Sequence, residues 1–240
     1  GLGLLELPTM FELLKPDVII TVGDRFETMA TAIAGAYMNI PLAHTMGGEI
    51  TGTIDESIPH AVTKLSHVHF PANQQAANRI VRMGEDPESV HVVGCPRIDT
   101  VAEVVRNGDT ALDAEFLDRE GVGGHIAVDK PFLLVSQHPV TTEYGEGERQ
   151  ITETLMALDE LRMPSIMLWP NVDAGSEDVA RGMRKFREKC RPEYIRFYKN
   201  FPIETFIRLQ KSAACLVGDS SAPLRGGSFL GTPAVNIGNP

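Results

Sequence analysis

Ionisable side chains collect at the points where the apolar segments of this sequence stop. The apolar run at residues 18–22 is followed by Gly23, Asp24 and Arg25, and residues 44–60 read HTMGGEITGTIDESIPH. In an open α/β sheet, ligands bind outside the carboxyl ends of the strands. We therefore expect one crevice to hold the acids and histidines of these two stretches: Asp24, His44, Glu49, Asp55 and His60.

Two interpretations of these acids are open at this point. Asp24 could cap the following helix, which is worth about 1 kcal/mol, although Arg25 beside it favours a chemical role. Gly47 and Gly48 permit close approach of the main chain to a ligand. Clustered acids repel one another, which raises one pKa and pairs a proton donor with a base. The alternative is a solvated acidic loop in which Asp55 or Thr53 caps the next helix.

A second polar cluster, SQHPVTTE at residues 136–143, follows another apolar run. His138 is a candidate for acid–base chemistry or for binding the substrate, and its alternative is a core histidine bonded to a carbonyl group. Asn171 lies in PNVDAGS, again between a predicted strand and a predicted helix, and Asp173 in the same motif could be structural.

The segment GDSSAPLRGGSFLGTP, residues 218–233, is the best phosphate-binding signal in the sequence. Ser220 and Ser221 stand at the expected start of a helix, whose amide groups attract an anion. Arg225, one turn later, could reach the same anion. The alternative is an ordinary helix cap by Asp219 or Ser220.

A metal site is not expected. His67 and His69 share one face of a predicted strand, but no third ligand is near them in the sequence. We predict neither a structural nor a catalytic metal.

Composition excludes several classes of protein. The net charge of −10 and the pI near 5.2 argue against nucleic-acid binding, which relies on basic surfaces. Three scattered cysteines indicate reduced thiols rather than a disulfide framework. No apolar run approaches the roughly 20 residues of a membrane span, and no signal peptide is recognisable. The expected location is the cytoplasm, without a membrane partner.

Apolar periodicity predicts α/β alternation in both halves. The predicted strands cover residues 18–22, 42–45, 67–70, 90–93, 132–136, 165–169, 195–198, 214–217 and 234–237, with helices between them. We therefore predict two doubly wound parallel-sheet, Rossmann-like domains, at residues 1–112 and 113–240. Residues 107–130 are assigned to the boundary region. The first domain lacks the usual opening strand and phosphate-binding turn, so we expect a fragment of a longer chain.

In combination, several motifs resemble the hydrolysing UDP-N-acetylglucosamine 2-epimerases of sialic-acid biosynthesis. They are the stretch from Gly23 to His67, GCPRIDT at 94–100, SQHPVTTE, WPNVDAGS at 169–176 and the segment 218–233. The resemblance covers nearly the whole chain. It implies a two-domain fold of the glycosyltransferase-B type that binds a nucleotide sugar between its domains. It also implies that the protein uses no cofactor, redox or otherwise.

The resemblance also implies a reaction and roles for residues. UDP is eliminated to leave a 2-acetamidoglucal, and water then adds to give free N-acetylmannosamine. Asp24 and Asp55 would be the acid–base carboxylates, and His138 would lie near the diphosphate or the reacting carbons. The other implied substrate contacts are Arg25, His44, His60, Asn171, Ser220, Ser221 and Arg225. Relatives suggest a homo-oligomer.

Some positions depart from the pattern of these relatives. Met46 stands where several of them carry a catalytic glutamate, so Glu49 is the candidate to replace it, or the substrate differs. Gly226 stands where a ribose-binding glutamate often follows the arginine. The alternatives are therefore a UDP- or GDP-linked diacetamido sugar as substrate, a non-hydrolysing 2-epimerase, a retaining glycosyltransferase, or a nucleotide-sugar binding module without turnover.

Overall fold

The computed structural model describes residues 1–50, 57–108, 111–140, 143–220 and 222–238. The chain divides into two compact units, which we call unit 1 (Gly1–Pro96) and unit 2 (Arg97–Pro240). Both are α/β, as predicted. Within the described ranges, no helix is long and apolar enough to cross a membrane.

Unit 1 contains a three-stranded sheet in the order β1-β2-β3, with all strands parallel. Its elements are α1 (Leu2–Leu14), β1 (Ile19–Val22), α2 (Phe26–Tyr37), β2 (Leu42–Thr45), α3 (Ser57–Leu65), β3 (Val68–Phe70) and α4 (Gln74–Arg82). β2 is the central strand, and Leu42, Ala43 and His44 are all buried in it. Ile19 and Leu42 pack against Ala32 of α2 and Val62 of α3, and this small core fixes the ends of β1 and β2.

Unit 2 contains a six-stranded sheet in the order β4-β7-β6-β5-β8-β9, in which only β4 runs antiparallel to its neighbour. Its elements are α5 (Pro96–Arg106), α6 (Ala114–Glu120), β4 (Val122–Gly123), β5 (Leu133–Ser136), α7 (Gly147–Leu161), β6 (Ser165–Leu168), α8 (Ser176–Cys190), β7 (Ile195–Tyr198), α9 (Ile203–Ser212), β8 (Cys215–Gly218), α10 (Ser228–Leu230) and β9 (Ala234–Asn236).

Apolar side chains cover both faces of this sheet. Every residue of β6 and β7 is buried, as expected for parallel strands with helices on each side. Leu134 and Ile166 pack towards α9 on one face, whereas Val135 and Met167 pack towards α7 and α8 on the other. The strand order reverses between β5 and β8, so this pair forms the topological switch point where α/β sheets bind ligands.

The segment 107–130 is the main departure from the predicted architecture. It was assigned to a boundary region, but its described residues form α6 and β4, which close the edge of the unit 2 sheet. Buried Arg196 of β7 holds them, because its guanidinium donates to the carbonyl oxygens of Leu117, Gly123 and Gly124 at 3.1–3.3 Å and also to that of Asp118. A buried arginine on the strand next to the edge therefore holds α6 and β4 in place.

Two smaller predictions also need correction. The predicted strand at residues 90–93 contributes a single bridge, from Val90 to His69. The predicted helix at 222–230 is divided into a π-helical turn, Pro223–Gly227, and the short α10. From Arg97 onward α5 groups with unit 2, where the Arg97 guanidinium lies 6.0 Å from the Phe206 ring of α9. The domain division at residue 112 stays a prediction.

Candidate functional site

The carboxyl ends of β1 and β2, which we call the carboxyl edge of unit 1, are held together by His44. Its imidazole is almost fully buried. Nε2 lies 2.9 Å from the carbonyl oxygen of Gly23, and Nδ1 lies 3.3 Å from Thr63 Oγ1. Because a carbonyl only accepts, Nε2 carries the hydrogen and Nδ1 accepts from the threonine. Burial lowers the pKa of His44 and so favours the neutral ring.

This geometry gives His44 a position inside the unit and not on its surface. Both ring nitrogens are used to join the turn after β1, strand β2 and helix α3. The sequence predicted His44 as a substrate contact. In the structure its ring instead bonds the Gly23 carbonyl, and so helps to position Gly23 and the following Asp24.

Asp24 directly follows the Gly23 carbonyl that His44 holds. It follows the end of β1, is half-buried, and is close enough to His44 for its charge to favour protonation of that imidazole. The residue at the N-cap of α2 is Arg25, which makes no side-chain capping bond. Helix capping therefore does not account for Asp24. Arg25 itself is exposed, and its Nε lies 3.3 Å from Glu27 Oε2.

The turn after β2 needs its glycines for reasons of space. A Cβ on Gly47 would lie 2.7 Å from His44 Nδ1, and one on Gly48 would lie 2.4 Å from the carbonyl oxygen of Ala76. Gly48 also has a φ of +77°, and its carbonyl accepts from Arg79 Nη1 at 2.8 Å. The half-buried Glu49 follows this fixed turn directly, so its place at the carboxyl edge of unit 1 is set by close packing.

Three other histidines of unit 1 are half-buried or bonded to other residues of the same unit. His60 is half-buried on α3. His67 Nδ1 accepts from the Leu42 main-chain amide at 3.2 Å, and buried His69 pairs with Glu85 at 3.3 Å. A search of the described residues for three or more side chains able to hold a metal ion found none.

The carboxyl edge of unit 2 comprises the residues after β5, β6 and β8, and His138 is at its centre. The His138 main-chain amide donates to Asp219 Oδ1 at 2.8 Å, which joins the ends of β5 and β8. Its Nδ1 accepts from the Asn171 main-chain amide at 3.2 Å, and its Nε2 lies 3.4 Å from Ser136 Oγ. His138 is thus held by loops from both neighbouring strands, and the bonds to its Nδ1 and its main chain are not to carbonyl groups.

Close packing fixes the switch point between β5 and β8. Gly218 is paired with Ser136, and a Cβ on Gly218 would lie 1.8 Å from the Ser136 carbonyl oxygen. Its φ of +145° is also a conformation that other residues rarely adopt. Asp219, the next residue, is consequently directed to His138. The sequence offered Asp219 only as a helix cap, and the motif Gly-Asp-Ser-Ser after a strand was the signal that could have identified it.

The expected anion-binding segment forms a turn and not a long helix. Ser220 Oγ accepts from the Ala222 main-chain amide at 3.3 Å, as in a local cap. Arg225 is half-buried in the π-helical turn Pro223–Gly227, which the three-residue α10 follows. So short a helix adds little dipole, so the helix amides alone would attract an anion only weakly here.

Asn171 lines a cavity of about 710 Å³ in unit 2, a size usual for small-molecule sites. The cavity lies between α8 and the ends of β6 and β7. Its lining combines the aromatic rings of Trp169 and Phe197 with charged side chains of both signs: Arg184, Arg187, Lys199, Glu120 and Glu177. The exposed Asn171 therefore lines this cavity and also, through its main-chain amide, contacts His138.

Two predicted site residues, Asp55 and Ser221, lie outside the described residues. The other nine are divided between the units. Asp24, Arg25, His44, Glu49 and His60 belong to unit 1, and His138, Asn171, Ser220 and Arg225 belong to unit 2.

Comparison with known proteins places these residues in a family. Residues 1–239 match the family model described as UDP-N-acetylglucosamine 2-epimerase. The chain belongs to this family.

Curated relatives from two bacteria are similar over nearly the whole chain. UDP-N-acetylglucosamine 2-epimerase of Neisseria meningitidis is 32% identical over 226 residues, which are 94% of this chain and 56% of the relative. UDP-N,N'-diacetylbacillosamine 2-epimerase (hydrolyzing) of Legionella pneumophila is 32% identical over 239 residues, which are 100% of this chain and 60% of the relative. The chain thus spans less than two thirds of the length of these epimerases.

A solved structure supports the fold assignment. Methanocaldococcus jannaschii UDP-GlcNAc 2-epimerase, determined in complex with UDP-GlcNAc and UDP, superposes with a TM-score of 0.80 at 18% identity, covering 98% of this chain and 64% of that one. The predicted fold class, two Rossmann-like α/β folds of the glycosyltransferase-B type, is confirmed. The assignment of the sequence motifs to the UDP-N-acetylglucosamine 2-epimerase family is confirmed as well.

Proposed function

We propose that this chain is part of a hydrolysing nucleotide-sugar 2-epimerase. The observation that carries the proposal is the match of residues 1–239 to the 2-epimerase family. The similarity to a relative whose name specifies hydrolysis extends over the whole chain. The substrate class is a UDP- or GDP-linked 2-acetamido sugar, and no redox cofactor is required because the reaction only moves protons, water and the diphosphate.

The proposed reaction has two steps. A base removes the proton from C2 while the C1–O bond breaks, and its electron pair leaves with the nucleoside diphosphate to give a glycal. Water then adds across C1=C2, with the hydroxyl at C1 and a proton at C2 on the opposite face. Such steps need a positioned base and acid, each worth roughly 10²–10⁴-fold in rate, and charge stabilisation for the departing diphosphate.

The described residues can be assigned to these tasks. Asp24, with Asp55, supplies the carboxylates that transfer protons, and Glu49 is the nearby acid that would replace the glutamate expected at Met46. Ser220 and Arg225, with Ser221, bind the diphosphate, and Asn171 and His60 contact the substrate. His44 holds the Gly23 turn, so its contribution is through the position of Asp24.

The second candidate is a non-hydrolysing 2-epimerase, which returns the 2-epimeric nucleotide sugar. It is favoured by the Neisseria meningitidis relative, which is equally similar at 32% and carries no hydrolysing designation in its name. The loop Gly47–Glu49 argues for the first candidate, because the non-hydrolysing class typically has Glu-Ala-Gly after the histidine.

One assay separates the candidates. The full-length protein that contains this chain is incubated in deuterated water with UDP-GlcNAc and with UDP- and GDP-linked diacetamido sugars, and products are followed by proton and phosphorus NMR. A free 2-epimeric sugar with deuterium at C2, together with nucleoside diphosphate, is the expected result. A deuterated UDP-ManNAc would select the second candidate, and unchanged substrates would overturn both.

Asp24→Asn tests the assignment of the base. We expect turnover to fall by about 10²–10⁴-fold, while UDP affinity by calorimetry stays within about tenfold, because a proton-transfer group is removed and a phosphate contact is not. The matched control is Asp17→Asn, an exposed carboxylate that precedes β1 at the opposite end of the strand. Equal turnover in the two variants would remove Asp24 from the mechanism.

A further inference from the structure

We infer that Asp219 is a positioning residue for His138, and that the surrounding main chain fixes His138 as a hydrogen-bond donor through Nε2. This inference rests on the proposed function only for the role of that donor in the reaction. The positioning itself follows from contacts within unit 2. It assigns Asp219 a task other than helix capping or direct contact with the substrate.

The first support is the bond between two segments that are 81 positions apart. Asp219 Oδ1 accepts the His138 main-chain amide at 2.8 Å. Asp219 cannot shift along the sheet, because the preceding Gly218 is locked in register with Ser136 at the end of β5. The carboxylate therefore serves as a fixed point for the residue that begins the loop after β5.

The second support is the electrostatic state of Asp219. Burial raises the pKa of its carboxyl group, and the bond from the His138 amide opposes that rise. A buried carboxylate without a compensating donor is costly. The amide of His138 is thus one of the groups that allow Asp219 to remain charged, and the two residues depend on each other.

The imidazole ring of His138 is also fixed by the main chain. The Asn171 main-chain amide approaches Nδ1 at 3.2 Å. A main-chain N–H only donates, so Nδ1 must present its lone pair and the ring hydrogen must be on Nε2. Protonation of Nδ1 would set two hydrogens against each other. The ring is therefore held as the neutral tautomer that donates from Nε2, the nitrogen 3.4 Å from Ser136 Oγ.

The packing of the next residue limits rotation of the loop. Pro139 is buried and packs closely against Gly175. A Cβ added to Gly175 would lie only 3.2 Å from the Cβ of Pro139. Buried Gln137, on the other side of His138, accepts from Thr154 Oγ1 of α7 at 2.6 Å. Both neighbours of His138 are thus fixed, and the direction of its side chain follows from the main chain.

The consequence for the reaction is a division of tasks. A neutral imidazole with its hydrogen on Nε2 stabilises negative charge that develops on a diphosphate oxygen as the C1–O bond breaks. It cannot accept the C2 proton at Nε2, because that position already carries a hydrogen. The proton is therefore taken by a carboxylate, and His138 donates a hydrogen bond without changing its protonation.

The test is nitrogen-15 NMR of the histidine rings in the full-length protein, with His138 assigned through a His138→Gln variant. At pH 7.5 we expect Nδ1 of His138 to show the shift of an unprotonated nitrogen and Nε2 that of a protonated one. Asn171→Ala keeps the main-chain amide and should leave both shifts unchanged. A protonated Nδ1 in the wild type would overturn the inference.

Substitutions at Asp219 separate positioning from general stability. Asp219→Ala removes the acceptor and should both mix the two tautomers of His138 and lower turnover by about a hundredfold, as misplacement of a reacting group does. Asp219→Asn keeps an oxygen at the Oδ1 position and should restore the wild-type tautomer and most of the turnover. The matched control is Asp129→Asn, an exposed carboxylate of the same unit.

The readouts also separate failure of this inference from failure of the proposed function. If the wild type has no epimerase turnover but Asp219→Ala changes the His138 tautomer, the positioning stands and the proposed function fails. If turnover is present and neither Asp219→Ala nor Asp219→Asn alters the tautomer or the turnover, the inference fails alone. If Asp219→Ala does not fold, Asp219→Asn decides: loss of the wild-type tautomer in that variant would refute the positioning.

Discussion

Each unit has a histidine at the carboxyl end of its sheet, and the two imidazoles meet the main chain through different nitrogens. His44 donates from Nε2 to the carbonyl oxygen of Gly23 and accepts at Nδ1 from Thr63. His138 accepts at Nδ1 from the amide of Asn171, and its own amide is bound by Asp219. The carbonyl partner of His44 accepts the hydrogen on Nε2. The amide partner of His138 donates to Nδ1, so the ring hydrogen of His138 remains on Nε2. Both ring nitrogens of the buried His44 thus join elements of unit 1, whereas His138 is only half-buried at the ends of its strands.

The two carboxyl edges also share a method of construction. In each, a glycine whose φ is positive lies against a carbonyl oxygen of a neighbouring element, Gly48 against Ala76 and Gly218 against Ser136. The acidic residues Glu49 and Asp219 follow these glycines directly. Close main-chain packing places each acid, and the histidine of each unit sets the adjacent strand end.

The largest effect is expected from Gly218→Ala. The added Cβ would lie 1.8 Å from the Ser136 carbonyl oxygen at a φ of +145°, so the β5–β8 pair must separate, at a cost of about 3 kcal/mol or more. Chemical unfolding followed by the fluorescence of Trp169, the single tryptophan of the chain, measures this loss in unit 2. In the control Gly231→Ala, φ is +72° but nothing lies within 4 Å, so only about 1 kcal/mol is expected. Equal losses would show that strand contact is unimportant.

A smaller effect, in the other unit, is expected from His44→Leu. The change leaves the Gly23 carbonyl and Thr63 without their buried partner, which should cost about 2–3 kcal/mol in the free energy of unfolding of unit 1. Hydrogen exchange at β1 and β2 amides measures it, with exposed His91→Leu as control. His138→Gln should change stability by less than about 1 kcal/mol but abolish most turnover. If His44→Leu leaves exchange unchanged, the contrast between the two histidines is lost.

The smallest expected effect is a difference in response to pH. Burial lowers the pKa of His44 and of His69 from 6.5, so the unfolded chain binds these protons more readily and unit 1 loses stability as the pH falls below about 6.5. The slope is at most about 1.4 kcal/mol per pH unit for each histidine. In unit 2, burial raises the pKa of Asp219, so protonation of that group favours the folded state at low pH.

Hydrogen exchange between pH 7.5 and 5.5, corrected for intrinsic rates, follows both units in one sample. We expect protection of β1–β3 to fall faster than protection of β5–β8, and the difference to shrink in His44→Leu. Parallel loss in both units would mean that the buried histidines do not govern the response.

The sequence predicted most of the elements because their signals are local. Alternating apolar runs bounded by Gly and Pro indicated β1–β3 and β5–β9, whereas the ligand site expected from the acids after the strand ends stays a prediction. The two-residue β4 was missed, because a strand of that length has no periodicity and depends on the side chain of Arg196, about 73 positions away. The bond between His138 and Asp219 could not be predicted for a similar reason, since strand order decides which ends are adjacent.

The role of His44 shows a second limit. Its position after an apolar run, before Gly47 and Gly48, is that of a substrate contact. Its burial depends on α3 covering β2, where Thr63 meets Nδ1. A histidine and its partners on other elements must be seen together before its role can be assigned.

The bonds from Arg196 to the α6–β4 segment affect the edge that the unit 2 sheet offers to other chains. An uncovered β7 would offer a four-residue row of main-chain donors and acceptors to any extended peptide, and such rows promote aggregation. With β4 in place, the outermost strand on that side pairs over only two residues, one of them Gly123 at a φ of +122°. The edge that unit 2 offers to an extended peptide on that side is therefore short, and the four carbonyl bonds of Arg196 maintain it.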